Sequence, residues 1–365
     1  MEVPPGLAVD RLGLVCKLNK SLYGLKQASR QWYEKLTEAF CSREYTHSLL
    51  DYSLFYKKYG TSVVFVAVYV DDVLVTRTDL QEIEALAAYL HKTFKIMDMG
   101  RPHYFLGLEI LYKDDGYSAL TSPLDPSSKL SVDEGSLLPD PSHFRKLVGK
   151  LNYLTNTRLD ISNSVQHLSQ YMQSPREPHL KVAYHVLRYL KGDPNLGIFL
   201  SNKQDYKIRA FCDLDWAACP DLRKSVSGYV VLLGDGPIGW KSKKQHTISL
   251  SLAEVEYRAA RQVVGELVWL LRLLIELTPS LTVHVPIFCD SQASLHIAKN
   301  PVFYERTKHI EVDCHFVRGQ VHEGLITLHY ISTNEQLAYI FTKPLTGMKH
   351  CNLRSKLAVS SSLPT

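Results

Sequence analysis

Acidic residues that close β-branched runs are the first candidates for chemistry in this sequence. Residues 62–76 read SVVFVAVYVDDVLVT, so Asp71 and Asp72 interrupt an otherwise apolar stretch. Two apolar strands flanking a polar tip make a hairpin. The pair has two readings. One is a solvated turn, because Asp is a common turn residue; the other is a divalent-metal site for phosphoryl chemistry, where carboxylates hold Mg²⁺ and the metal activates a hydroxyl. Other acids sit in similar positions: Asp213 follows IRAFC, Asp290 closes VPIFC, and Glu254 and Glu256 open a long amphipathic stretch. Asp213 also suits a strand-end turn and Asp290 a helix cap. Convergence on one sheet edge favours the metal role for Asp290. Ser251 and Glu254 have capping-box spacing, which gives Glu254 a structural task and leaves Glu256 free to act as a ligand.

These acids need elements to position them. Residues 27–40 place Trp32, Leu36 and Phe40 at four-residue spacing, which predicts a helix, and residues 80–94 repeat the pattern with Ile83, Leu86, Ala87 and Leu90. Apart from the hairpin, this N-terminal part reads strand-poor. Helical periods return at 144–154, 161–172 and 179–190, with Pro175 and Pro178 between the last two. Strands are predicted at 207–212, 228–233, 285–289 and 325–331, with a weaker one at 247–250. Residues 252–277 form a long helix with Val255, Ala259, Val264, Leu267, Leu271 and Leu274 on one stripe, and Trp269 is expected in the core. A final short helix follows the last strand. Strands first, then helices alternating with strands, is a mixed α/β pattern.

Composition narrows the class. The chain has 365 residues, 45% of them hydrophobic, which is enough for two or three cores. Lys and Arg number 42 against 37 Asp and Glu, a formal charge of +5 that permits a polyanionic partner without requiring one. Seven scattered Cys without a CxxC pair argue against a zinc ribbon or a disulfide framework, and for a reducing compartment. His309, Asp313 and His315 beside Cys314 match no closed four-ligand zinc site. With no 18-residue apolar run and no signal-peptide core at the start, the expectation is an intracellular protein, cytoplasmic or nuclear, neither secreted nor membrane-bound.

Longer motifs carry a resemblance. KSLYGLKQASRQW at 20–32 resembles the SLYGLKQAxRxW signature of copia-type LTR retrotransposon polyproteins. FLGLEI at 105–110, FRKLVGKLNYLTNTRLD at 144–160, YHVLRYLKG at 184–192, RKSVSGYVV at 223–231, IGWKSKKQ at 238–245, SLAEVEY at 251–257, CDSQA at 289–293, RTKHIEV at 306–312 and FTKPL at 341–345 follow in the family's order. The resemblance implies a partial reverse-transcriptase palm at 1–115 and a linker with a helical thumb or connection remnant at 116–205. It implies a ribonuclease H-like mixed five-stranded sheet with flanking helices at 206–346, then a disordered tail at 347–365. The inherited reaction would be two-metal hydrolysis of RNA in RNA–DNA hybrids with Mg²⁺ or Mn²⁺.

The resemblance also assigns roles. Asp71 and Asp72 match the palm YxDD pair. The D-x-D-W pattern makes Asp213 the ligand and leaves Asp215 to the loop, E-x-x-A selects Glu256, and Asp290 precedes Ser-Gln as in the family. There are departures. Tyr339 stands at the fourth Asp position, and a phenol is a poor Mg²⁺ ligand at neutral pH. Leu159 replaces the Pro of the TRPDI motif. A further palm carboxylate lies, in the family, upstream of the segment that opens this sequence. The expectation is therefore no DNA synthesis and weakened hybrid cleavage, with Glu335 as a weak substitute for the missing Asp; the alternative is a non-catalytic relic that at most binds nucleic acid. Contacts to nucleic acid would come from Trp240, Lys241, Lys243 and Lys244, from Arg306, Lys308 and His309, and from Lys26 and Arg30 on one helix face. The competing reading of these cations is an ordinary solvated surface.

Overall fold

A computed structural model describes residues 27–59, 62–70, 72–77, 80–100, 102, 104–105, 108–109, 122–124, 130–200, 205–249, 252–277, 284–292, 295 and 311–361. The described residues fall in two compact units, one within 1–112 and 272–279, the other within 113–271 and 280–365.

The first unit is built on a four-stranded antiparallel sheet. Its strands β1 (Thr46–His47), β2 (Leu54–Tyr59), β3 (Ser62–Tyr69) and β4 (Asp72–Arg77) are neighbours in sequence order. Helices α1 (Ala28–Ser42) and α2 (Leu80–Phe94) supply Leu36, Phe40, Leu86 and Leu90 to a core completed by Phe55, Val64, Val66 and Val68. The alternation of the three valines along β3 follows from the period of two in a strand. Both helices and the β3–β4 hairpin are as predicted. The strand β2 is not: LFYKKY opens with three contiguous apolar residues and continues with two lysines, so no alternation announces it. At the hairpin tip Val70 adopts φ 51°, a left-handed conformation that costs a β-branched residue energy. The Trp32 indole N–H donates to the Val70 carbonyl at 3.1 Å and ties the tip to α1.

The second unit contains the expected mixed sheet of five strands. In the order β10 (Gly236–Lys244), β9 (Val226–Leu233), β8 (Ile208–Asp215), β11 (Val285–Cys289), β12 (Ile326–Tyr330), the first three run antiparallel and the last three parallel. The strand β10 was not predicted, because its Gly, Pro and three Lys suit an edge and break any apolar pattern. Residues 247–249, expected as a weak strand, lie outside every strand. Helix α6 (Leu252–Leu277) packs Val255 and Ala259 against Leu214 of β8. Trp269 of α6 is 42% exposed and not a core residue, so the expectation is corrected; the apolar stripe of the helix is narrower than its apolar content.

Helices α3 (Ser142–Leu154), α4 (Ser162–Ser169) and α5 (Glu177–Gly192) form their own core around Phe144, Val148, Ile161, Val165 and Val186. Leu159 and Leu196, in contrast, join Phe211, Val230, Leu232 and Phe341 in the core of the large sheet. The middle block thus shares its interior with the C-terminal block. Residues 347–361 are ordered, contrary to the expected tail: Gly347–Lys356 is a helix, and β13 (Val359–Ser361) pairs with β7 (Leu196–Ile198). Leu353, Leu357 and Val359 are buried in the same core, which is why this polar-looking segment folds. Residues 362–365 lie outside the described set.

A buried polar cluster fixes this seam. Arg158 grips Asp160 with Nε at 3.0 Å and Nη2 at 2.9 Å, and the Tyr189 hydroxyl donates to Asp160 at 2.6 Å. His350 of the C-terminal helix donates from Nε2 to the Asp160 carbonyl at 3.1 Å. Burial opposes ionisation of Asp160, but Arg158 and the Tyr189 hydroxyl outweigh it and hold the carboxyl below the usual carboxylate range. Removing one partner of a buried pair strands the other charge. Arg158→Met is therefore expected to lower unfolding stability by about 3–5 kcal/mol in urea titrations, whereas replacing both members together costs less.

Candidate active site

The strand register sets the site. In the parallel pair of β8 and β11, Ala210 aligns with Ile287 and Phe211 with Phe288. Two residues on, the same alignment brings Asp290 level with Asp213, on the face that carries the stacked rings of Phe211 and Phe288, 5.0 Å apart. Across this face lies the 3₁₀ turn Leu337–Phe341. Its approach depends on Gly228 of β9, where a Cβ would stand 2.6 Å from Phe341 Cβ and 2.8 Å from Thr342 Cγ2. Gln336, fully buried, donates to the Cys212 carbonyl at 3.0 Å and accepts from the Ala338 amide at 3.1 Å, anchoring the turn to the end of β8.

The turn and the residues after it close over the two aspartates. The Tyr339 hydroxyl donates to Asp290 Oδ2 at 2.7 Å. The Thr342 hydroxyl donates to Asp213 Oδ2, and Lys343 Nζ stands 3.6 Å from the same oxygen. Lys343 Nζ also lies over the Tyr339 ring at 4.0 Å, with Lys349 Nζ at 4.9 Å. Asp213 is 5% exposed. Burial pushes its carboxyl up to about 7, and the repulsion of Asp290 adds to this; the Lys343 ammonium and the Thr342 hydroxyl pull it back only in part. Asp215, at the end of β8, is raised by burial and lowered by Lys343. Burial, more than the Asp290 charge that adds to it, raises the Tyr339 phenol, which stays a neutral donor.

The predicted site residues fare differently. Asp213 and Asp290 come together. Glu256 lies in the first turns of α6, which pack on β8 through Val255, but its side chain is outside the described residues. Glu254 is buried and bound to Arg258 at 2.8 Å, while its expected capping partner Ser251 is outside the described set. Glu335 accepts from Ser332 Oγ at 3.1 Å and lines a depression with Arg209, Asp235 and Lys356. Asp72 is exposed at the start of β4; Asp71, Lys26, Arg306, Lys308 and His309 are outside the described residues. Arg30 is exposed and paired with Glu34 at 2.9 Å. Asp313 is bound to Arg261 at 3.2 Å, and Cys314 is buried. Trp240, Lys241, Lys243 and Lys244 all lie on β10. Thr342, Lys343 and Gln336 were missed as site residues; the FTKPL run held two of them, but sequence gives no sign of which strand they meet.

The donor set bears on metals. Among the described residues no three His, Cys, Asp or Glu side chains form a metal centre. One oxygen of each aspartate is already engaged by a hydroxyl, and Lys343 brings a positive charge to Asp213. Among the described residues Asp213 and Asp290 offer hard oxygen ligands of the kind a divalent cation takes, whereas the neutral Tyr339 phenol offers no anionic oxygen.

Comparison with known proteins bears on the family. Residues 1–122 match the family described as reverse transcriptase (RNA-dependent DNA polymerase). The whole chain is 40% identical to 26% of the retrovirus-related Pol polyprotein from transposon RE1 of Arabidopsis thaliana, and 94% of it is 32% identical to 28% of the TNT 1-94 polyprotein of Nicotiana tabacum. It covers 94% of a putative transposon Ty5-1 protein of Saccharomyces cerevisiae at 30% identity over 73% of this chain. The chain belongs to the copia-type retrotransposon Pol family. It spans about a quarter of the plant Pol polyproteins it matches. Among solved structures, the N-terminal RNase H domain of rv2228c from Mycobacterium tuberculosis aligns with 38% of this chain and 91% of its own at 12% identity and a TM-score of 0.29. A prototype foamy virus protease-reverse transcriptase aligns with 89% of this chain and 39% of its own at 13% identity and a TM-score of 0.26. Among the described residues of this Pol segment, no helix is long and apolar enough to cross a membrane.

The raised Asp213 carboxyl couples stability to pH. A carboxyl whose folded pKa exceeds its unfolded value of about 3.9 stabilises the fold below that value, and the contribution is lost as pH rises through the folded pKa, about 7 here. In the absence of divalent cations, Asp213→Asn is expected to match the parent near pH 4 and to exceed it above pH 7, by on the order of 2–4 kcal/mol. Thermal unfolding at a series of pH values reads the difference; equal pH profiles for the two proteins would contradict it.

Proposed function

We propose that this chain is a reverse transcriptase/ribonuclease H segment whose remaining catalytic capacity is slow, divalent-cation-dependent hydrolysis of RNA in RNA–DNA hybrids. The observation that carries the reading is the β8–β11 register, which, continued two residues past Phe211 and Phe288, sets Asp213 beside Asp290 at the ends of two parallel strands, on the face opposite the one that α6 covers. Two carboxylates brought together at the ends of parallel strands suit the activation of a water for attack on a phosphodiester. Asp213, Asp290 and Glu256 would hold one divalent cation, which when bound supplies the Lewis acidity that generates a nucleophile at neutral pH.

The chain's own residues define the rest. Lys343, beside Asp213, adds positive charge where a phosphate would approach. Tyr339 keeps Asp290 oriented but offers no anionic oxygen for a second cation. Loss of one ligand from a paired-metal site costs several kcal/mol of transition-state stabilisation, or on the order of a hundredfold or more in rate. The palm supplies Asp72 alone among the described residues, so the reading rests on the ribonuclease half.

A second reading, binding without cleavage, is favoured by the same contacts of Tyr339 and Lys343, which satisfy both aspartates without any cation.

The test uses the full chain, because residues 347–361 complete its core. With Mg²⁺ or Mn²⁺ and a labelled RNA–DNA hybrid, the parent is expected to cleave slowly. Tyr339→Asp should accelerate cleavage on the order of tenfold to a hundredfold, and Asp213→Asn added to it should abolish the gain. Hybrid binding without cleavage in every variant would establish the second reading. Fast cleavage by a parent indifferent to Asp213→Asn would remove the site from consideration.

A further inference from the structure

Cys212 and Cys289 hold equivalent places in two strands. Cys212 precedes Asp213 near the end of β8, and Cys289 precedes Asp290 at the end of β11. The parallel register pairs Phe211 with Phe288, and one residue further on it sets Cys212 level with Cys289. Side chains alternate along a strand, so both sulfurs point away from the aspartates, to the face where Leu214 meets α6. Both are thiols, and both are buried. Of the described cysteines they alone lie in strands.

A second contact pins the two strand ends side by side. The Gln336 side-chain amide donates to the Cys212 carbonyl at 3.0 Å and reaches the Phe288 carbonyl at 3.5 Å. One fully buried nitrogen thus spans the two backbones beside the cysteines. Neighbouring strands stand about 4.8 Å apart, inside the range of about 4.4–6.8 Å that separates the Cα atoms of a disulfide. Their Cβ atoms start at about the strand spacing, and a disulfide brings them to about 3.8 Å. Joining the sulfurs therefore draws the ends of β8 and β11 together by about 1 Å. The next residues on those strands are Asp213 and Asp290.

We propose that Cys212 and Cys289 are a dithiol pair that hydrogen peroxide converts to a reversible disulfide, and that this bridge suppresses the chemistry at Asp213 and Asp290. Cys289, the last residue of its strand and the less deeply buried of the two, reacts first. Its sulfur takes one oxygen from the peroxide and becomes a sulfenic acid, while a water leaves. The Cys212 sulfur then attacks the sulfenic sulfur. The S–O bond breaks, the S–S bond forms, and the hydroxyl departs with the Cys212 proton as a second water. Two thiols lose two electrons in all, and one peroxide is reduced to two waters. A thiol reductant reverses the bridge by exchange. The effect on the aspartates rests on the hydrolytic reading above; the bridge itself does not.

In the test, the folded full chain is treated with hydrogen peroxide, then unfolded in N-ethylmaleimide to block every remaining thiol, digested, and read by mass spectrometry. The expected product is a peptide pair joined through Cys212 and Cys289, which dithiothreitol separates. Cys212→Ala and Cys289→Ala should each give no such pair, whereas Cys41→Ser, at an exposed position of α1, should give it as the parent does. Hybrid cleavage is measured on the same samples after the peroxide is removed. A 1 Å misplacement can cost about a hundredfold, so the bridged chain is expected to cleave on the order of tenfold to a hundredfold more slowly and to recover with dithiothreitol. Cys289→Ala should keep its rate through the treatment. Retention of both thiols at a peroxide dose that oxidises Cys41, or bridges from Cys212 or Cys289 to other cysteines, overturns the pair. A bridge with unchanged cleavage overturns its effect on the site. A bridge in a chain that cleaves nothing, reduced or oxidised, supports the pair and removes the hydrolytic reading instead.

Discussion

Parallel pairing of two buried strands is the constraint on which the candidate site depends. A strand that runs beside another in fixed register brings residues far apart in the chain to the same height, and a slip of one position would turn every side chain to the opposite face. Phe211 on Phe288 is one such pair; Asp213 beside Asp290 is the next on the same face. The register is specified by burial, because both faces of this sheet are covered: α6 packs on one, the 337–341 turn on the other. The chemistry at the strand ends is thus a consequence of packing several residues away from it.

The closing turn shows how one crossing segment holds two neighbouring carboxyls. Gly228 leaves the space that lets Phe341 and Thr342 lie against β9, and Gln336 bridges from the turn to the carbonyl of Cys212. With that framework intact, Tyr339 reaches Asp290, and Thr342 with Lys343 reaches Asp213. The electrostatics become those of an internally compensated pocket. Two carboxyls that would repel each other are held by a phenol, a hydroxyl and an ammonium, and the more buried one favours its neutral form.

Much of the fold could be read in the sequence where apolar periodicity is uninterrupted. The helices at 80–94 and 252–277 and the strand VPIFC have the bounds their patterns predict. Where tertiary packing overrides local pattern, the reading fails: β2 carries two lysines, β10 mixes Gly, Pro and Lys, and the helix at 347–356 hides its few apolar residues in a polar stretch. The site divides along the same line. Asp213 and Asp290 are legible because each closes an apolar strand, and Tyr339 is legible because neighbouring motif residues frame it. The partners of Tyr339, Thr342 and Lys343 are set by the crossing of the 337–343 segment over the sheet, which no local spacing encodes.

The strand β10 has a further consequence through its place in the sheet. An outermost strand presents unpaired backbone groups, and a second molecule can extend the sheet by pairing with them, the usual beginning of ordered aggregation. Here that rim carries Lys241, Lys243 and Lys244 within nine residues, so that two copies meeting edge to edge would bring like charges together. The fold is thereby protected from polymerising on itself.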